Sequence, residues 1–157
     1  MNIGVVVEDL GASHLSYVLI KSMNRMSEED SENDYSIFIE NITPHVLPPR
    51  FAVMNTTELP YFKGALIATN VSTCLTVSLS ISNSKKFFYV WDLEWLRHMG
   101  KNYEYNIKAY TNKSMSIIAR SGSHADAIKN YCNREVAGIV EDFNMTQMME
   151  IINNEIR

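Results

Sequence analysis

Lys85-Lys86-Phe87-Phe88-Tyr89-Val90-Trp91-Asp92-Leu93-Glu94-Trp95-Leu96 sets an apolar, aromatic run between two lysines and a pair of carboxylates interleaved with tryptophans. A run this short, continuous and aromatic reads as a strand buried on both faces, the kind found inside a parallel sheet. In open α/β sheets, ligands bind beyond the carboxyl ends of the strands. Asp92 and Glu94 are therefore expected at the functional edge.

The segments on either side keep the same rhythm. Ile3–Val7 is a β-branched run and reads as a first strand. Glu8-Asp9-Leu10-Gly11-Ala12-Ser13 follows as a short loop. Leu15, Val18, Leu19, Met23 and Met26 then recur at helical spacing, which predicts a helix from Ser13, its cap, to about Arg25. Further strands are expected at 35–39, 51–54 (near an edge), 64–69, 87–90, 116–119 and 136–140. Helices are expected at 71–80, 124–133 and 145–157, the last with Met148, Ile151, Ile152 and Ile156 inward and Asn144 as cap. A helical turn is expected from Leu93, and Tyr103–Tyr110 reads as a helix, although its polar–aromatic alternation also suits a strand. Strands alternating with helices predict a three-layer α/β fold, a Rossmann-like, mostly parallel sheet of six or seven strands covered on both faces. Residues 1–157 are expected to form one domain.

Composition narrows the function. The 157 residues carry a net charge of -4 with 46% hydrophobic and 20% charged residues, the profile of a globular chain without a general basic field for nucleic acid or anionic membrane. No signal-peptide pattern and no membrane-length apolar run occur, so a cytoplasmic protein is expected. Cys74 and Cys132 lack metal-ligand spacing and read as buried free thiols. The Asn-x-Ser/Thr matches read as chance in an asparagine-rich chain. The bias toward asparagine, isoleucine, lysine, serine and methionine suits an AT-rich coding genome such as that of a virus or phage. No GxGxxG fingerprint, Walker loop, GxSxG elbow or metal spacing is present, so neither a cofactor nor a metal is expected.

If the sheet is parallel, its carboxyl-end rim collects Asp9, Gly11 and Ser13 from the first loop, and Asn70 after the strand at 64–69. It also collects Asp92 and Glu94, Arg120 and Ser121, and Glu141 and Asp142. Such a rim can supply a general base, a sugar-hydroxyl acceptor or an anion contact. Asp92, between two tryptophans able to exclude water and raise its pKa, is the leading catalytic candidate. The tryptophans themselves, four residues apart, also suit core packing. His14 and His124 stand at predicted helix starts, where a histidine is kept neutral and suits an acceptor role or a phosphate contact. Each rim residue taken singly is better explained as a strand-end or capping residue; their convergence is what points to a site.

Ile117-Ile118-Ala119-Arg120-Ser121-Gly122-Ser123-His124-Ala125-Asp126-Ala127-Ile128, followed by Gly138-Ile139-Val140-Glu141-Asp142-Phe143, resembles the end of the N-terminal domain of GT-B glycosyltransferases. Val7-Glu8-Asp9-Leu10-Gly11-Ala12-Ser13-His14 is similar to the first loop of that fold, and Tyr89–Leu96 to its mid-domain strand. The resemblance implies that the rim around Asp9, His14, Asp92 and Ser121 is the acceptor side of a cleft for a nucleotide sugar or sugar acceptor. It also implies a missing half, because donor contacts in that family come mostly from a second domain whose acidic/glycine motif is absent here. A homodimer or a partner subunit is then expected to complete the cleft. Two functions stay open at this point: a glycosyltransferase-like binding domain, and a non-catalytic protein-interaction module that keeps the fold.

Overall fold

The computed structural model describes residues 1–82 and 84–156. Seven strands, β1 (Asn2–Val7), β2 (Asp34–Ile39), β3 (Ala52–Asn55), β4 (Ala65–Ala68), β5 (Lys85–Val90), β6 (Ser116–Ala119) and β7 (Gly138–Ile139), form one sheet in the order β3-β2-β1-β4-β5-β6-β7. Every pairing is parallel. The order is that of a Rossmann-like fold, with the switch point between β1 and β4, where the chain returns from the β3 edge to the middle of the sheet. β3 lies at an edge, as its sequence suggested.

Helices α1 (His14–Glu29) and α5 (Met145–Ile156) cover one face, and α2 (Val71–Leu79), α3 (Lys101–Thr111) and α4 (Gly122–Cys132) the other. Alternation along the strands divides the core accordingly: Phe87 and Tyr89 point to the α1/α5 side, Phe88 and Val90 to the opposite side. On α1, Leu19, Ile20 and Met23 are fully buried, each contributing about 1.5–3 kcal/mol by leaving water. α1 runs a turn past the expected end at Arg25 because Met26 still packs on the core.

Local chemistry accounts for the less obvious elements. α2 contains weak helix formers, yet Asn70 and Thr73 close a capping box at its start, and Val71, Cys74 and Val77 are buried along it. Residues 101–111 are helical because Asn106, Ala109 and Tyr110, spaced i, i+3, i+4, turn one face to the core, while Tyr103 and Tyr105 face solvent. Thr56–Tyr61 is a 3-10 helix, and the turn expected from Leu93 is a 3-10 helix at Glu94–Arg97. The strand expected at 136–140 shrinks to Gly138–Ile139, although Ala137 N and Val140 N still donate to Ile117 O and Ala119 O. On α5, Met148 and Ile152 are buried and Ile151 is half-buried, but Ile156 is 46% exposed, a correction to its expected inward position. Asn144 Oδ1 accepts from Thr146 N, as a cap would, and Arg157 lies outside the described residues. Cys74 and Cys132 are buried free thiols. No helix among the described residues is long and apolar enough to cross a membrane.

Gly64 is required by its backbone. Its φ of +148° disfavours an L side chain, and a Cβ there would stand 2.1 Å from Asn2 O.

Candidate functional site

The carboxyl ends of all seven strands share one rim, and the predicted residues divide there into three groups. The first builds the loop between β1 and α1. Asp9 Oδ1 accepts from Gly11 N at 2.8 Å, and a Cβ on residue 11 would lie 3.0 Å from that same oxygen. Ser13 N donates to Gly11 O, and Ser13 Oγ accepts from Ser16 N at 3.0 Å, capping α1. Asp9, Gly11 and Ser13 thus use their polar groups on the loop itself.

The second group closes the start of α2. Asn70 Oδ1 accepts from Thr73 N at 2.8 Å, while Glu94 Oε1, reaching across from the loop after β5, accepts from Val71 N at 2.9 Å. An internal carboxylate therefore takes the amide at this helix N-terminus. Burial raises the Glu94 pKa, the charges of Asp92 and Glu8 raise it further, and the Val71 hydrogen bond opposes them. The 92–94 backbone is pinned by the buried Tyr110, whose hydroxyl donates to Asp92 O at 2.8 Å and accepts from Glu94 N at 3.1 Å.

Asp92 itself turns away from the others. One carboxylate oxygen accepts from Leu93 N and the other pairs with Arg97. The tryptophans beside it do not enclose it, because they leave the chain on opposite faces of the sheet. Trp91 packs against the α1/α5 core, and Trp95 is buried against Tyr110 on the other side.

The third group is the one the fold assembles. The Arg120 guanidinium lies 3.8 Å from the centre of the Trp91 ring, and the His14 ring meets the same indole edge-on at 5.3 Å. Arg120 Nη2 stands 3.5 Å from Asp142 Oδ1. Beside it, Ser121 caps α4 through His124 N and shares a 3.0 Å hydrogen bond with Ser123. His124 Nδ1 is buried without a partner among the described residues. Arg120, Ser121, His124, Glu141 and Asp142 line a hollow of about 320 Å³. A planar guanidinium stacked on an aromatic ring, next to a hydroxyl and an unsatisfied imidazole nitrogen, is suited to an anionic oxygen ligand.

The wall of this hollow is unusual backbone. Asp142 and Phe143 have φ of +46° and +52°, a left-handed conformation costly for residues other than glycine. Tyr89 holds it: its hydroxyl donates to Val140 O at 2.8 Å and accepts from Phe143 N at 3.2 Å. Burial pushes the Tyr89 phenol up to about 12, so it remains a donor near neutral pH.

Sequence reasoning placed Arg120, Ser121, His14 and His124 on the rim, but it favoured packing over a site role for Trp91 and gave Tyr89 and Tyr110 no role. The signal for Trp91 was its parity with Phe87 and Tyr89, which sets it on the α1 side at a strand end. The tyrosine roles left no signal, since their partners are backbone groups 16 to 54 residues away. Among the described residues, no group of three or more His, Cys, Asp or Glu side chains is arranged to hold a metal ion. Comparison with models of known families, with characterised proteins and with solved structures gives no match.

Proposed function

We propose that the protein binds a nucleotide or nucleotide sugar at the strand-end rim, as one half of a GT-B-like glycosyltransferase cleft. The observation that carries this reading is the Arg120 guanidinium held on Trp91 beside the unpartnered His124 nitrogen. Arg120 and Ser121 would take phosphate oxygens, and His124 would accept or donate a proton at the bound group. His14, across the indole, is the second candidate for that task, whereas Asp92 serves the loop after β5. The hollow of about 320 Å³ is at the small end of ligand clefts. It suits the phosphate and sugar portion, with a second copy or a partner subunit closing over the base.

A thermal-shift panel of nucleoside diphosphates, nucleotide sugars and free sugars tests the reading. Ligand binding to the native state raises the melting temperature with concentration. A selective shift that disappears in Arg120→Ala supports the proposal, and a flat panel rejects it. One observation favours a second reading, a protein-interaction module. Leu96 and Met99, beyond the same end of β5, are 62% and 91% exposed, and such apolar groups suit contact with another protein. A flat panel together with a stable complex with another protein would favour it.

A further inference from the structure

A second and larger concavity, about 510 Å³, adjoins the strand-end hollow at Glu141 and Asp142 and runs between α1 and the segment 141–147. Its volume is within the range of small-molecule clefts, about 300–1,000 Å³. Tyr17, 43% exposed, offers an aromatic ring on the α1 wall. One turn later Lys21 carries its ammonium 6.0 Å above that ring. Lys21 makes no ion pair among the described residues, whereas its neighbour Arg25 is engaged by Glu29 and by Thr146. The facing wall supplies the carboxylates of Glu141 and Asp142 and the amide of Gln147.

We infer that this concavity is a saccharide site selective for a sugar ring bearing one negative charge, such as a hexuronate. An aromatic ring takes the C–H face of a pyranose, and carboxylate and amide groups take its hydroxyls. Lys21 is a compact point charge for a single carboxylate on the ring. A single carboxylate fits this space better than a polyphosphate, because of its two lining cations Arg25 is engaged and only Lys21 has no ion pair among the described residues. The inference does not depend on nucleotide binding at Arg120: the two hollows share Glu141 and Asp142, but Tyr17, Lys21 and Gln147 line only this one.

The test uses the full chain, isotope-labelled, titrated with free glucuronate and followed by amide chemical shifts, with glucose as the uncharged control. The result expected is a saturable perturbation centred on Tyr17, Lys21 and Gln147 that glucose produces far more weakly. Lys21→Ala should weaken glucuronate by about tenfold or more, the loss of one charge-assisted hydrogen bond, and Lys21→Arg should restore most of it. Both substitutions are on an exposed position, so folding is checked by the unperturbed remainder of the spectrum. Equal responses to glucose and glucuronate, no response, or shifts confined to Arg120 and His124 would overturn the inference. Failure of the nucleotide panel alone would leave it standing.

Discussion

Tyr89→Phe removes one oxygen atom and keeps the ring, its edge-on contact with Phe143 at 4.9 Å and its approach to Trp91 at 6.4 Å. What is lost is the bridge that accepts from Phe143 N and donates to Val140 O in a fully buried setting. Leaving a buried amide or carbonyl without a partner costs about 1–3 kcal/mol. Against this, the left-handed residues Asp142 and Phe143 hold about 1–2 kcal/mol of strain each, part of which is released if the turn relaxes. The net loss expected is about 1–3 kcal/mol, read in urea unfolding. In a chain of this size each kcal/mol lowers the melting temperature by about 2–4 °C. The relaxation also has a local readout, faster hydrogen exchange of the Phe143 amide and weaker ligand binding at Arg120, since the turn carries Asp142. An unfolding midpoint unchanged within about 0.5 kcal/mol, with the Phe143 amide still protected, would refute the claim that Tyr89 holds the wall of the site.

Two further substitutions probe the rim and the sheet. Glu94 has a folded-state pKa raised chiefly by burial, so the folded protein holds that proton more tightly than the unfolded chain. Its contribution to stability is therefore present in acid and is lost as pH rises through the raised native value. Glu94→Gln keeps an acceptor for Val71 N and removes the titration. The variant should gain stability relative to the parent toward neutral pH, with the difference vanishing in acid; a pH-independent difference in urea midpoints would contradict this. Gly64→Ala should destabilise by more than about 1 kcal/mol, because the added Cβ meets Asn2 O, a backbone atom, at 2.1 Å. An unchanged urea midpoint would show that the entry to β4 adapts without cost.

The fold was legible in the chain because its signals are local. Ile3–Val7, Tyr35–Ile39 and Phe87–Val90 are runs that only a sheet covered on both faces can bury, and Ser13, Asn70 and Ser121 sit where helix caps are needed. The site was legible only as a list of strand-end residues. Asp92 drew attention through its tryptophan neighbours, which were expected either to shield it from water or, four residues apart, to pack into the core. The helix begins only after Leu93, so Trp91 keeps the parity of the strand and Trp95 turns to the other side. Glu94 and Tyr89 act on Val71 and on the 140–143 turn, contacts created by the order of strands in the sheet. No spacing in the sequence encodes them. The Tyr17–Lys21–Arg25 stripe was present at four-residue intervals, opposite the apolar stripe of α1, and acquires meaning only once the 141–147 segment faces it.

The central claim is that an anionic nucleotide ligand engages Arg120 on the Trp91 face, and tryptophan fluorescence reads that contact directly. The chain has two tryptophans. Trp95 is buried on the opposite face, so a ligand that draws Arg120 away from the indole should change the emission of Trp91 alone. Titration with nucleoside diphosphates and nucleotide sugars is expected to give a saturable change with at least one of them, absent in Trp91→Phe and weakened in Arg120→Ala. Emission that stays flat across the panel, or a response that persists unchanged in Arg120→Ala, would contradict the account.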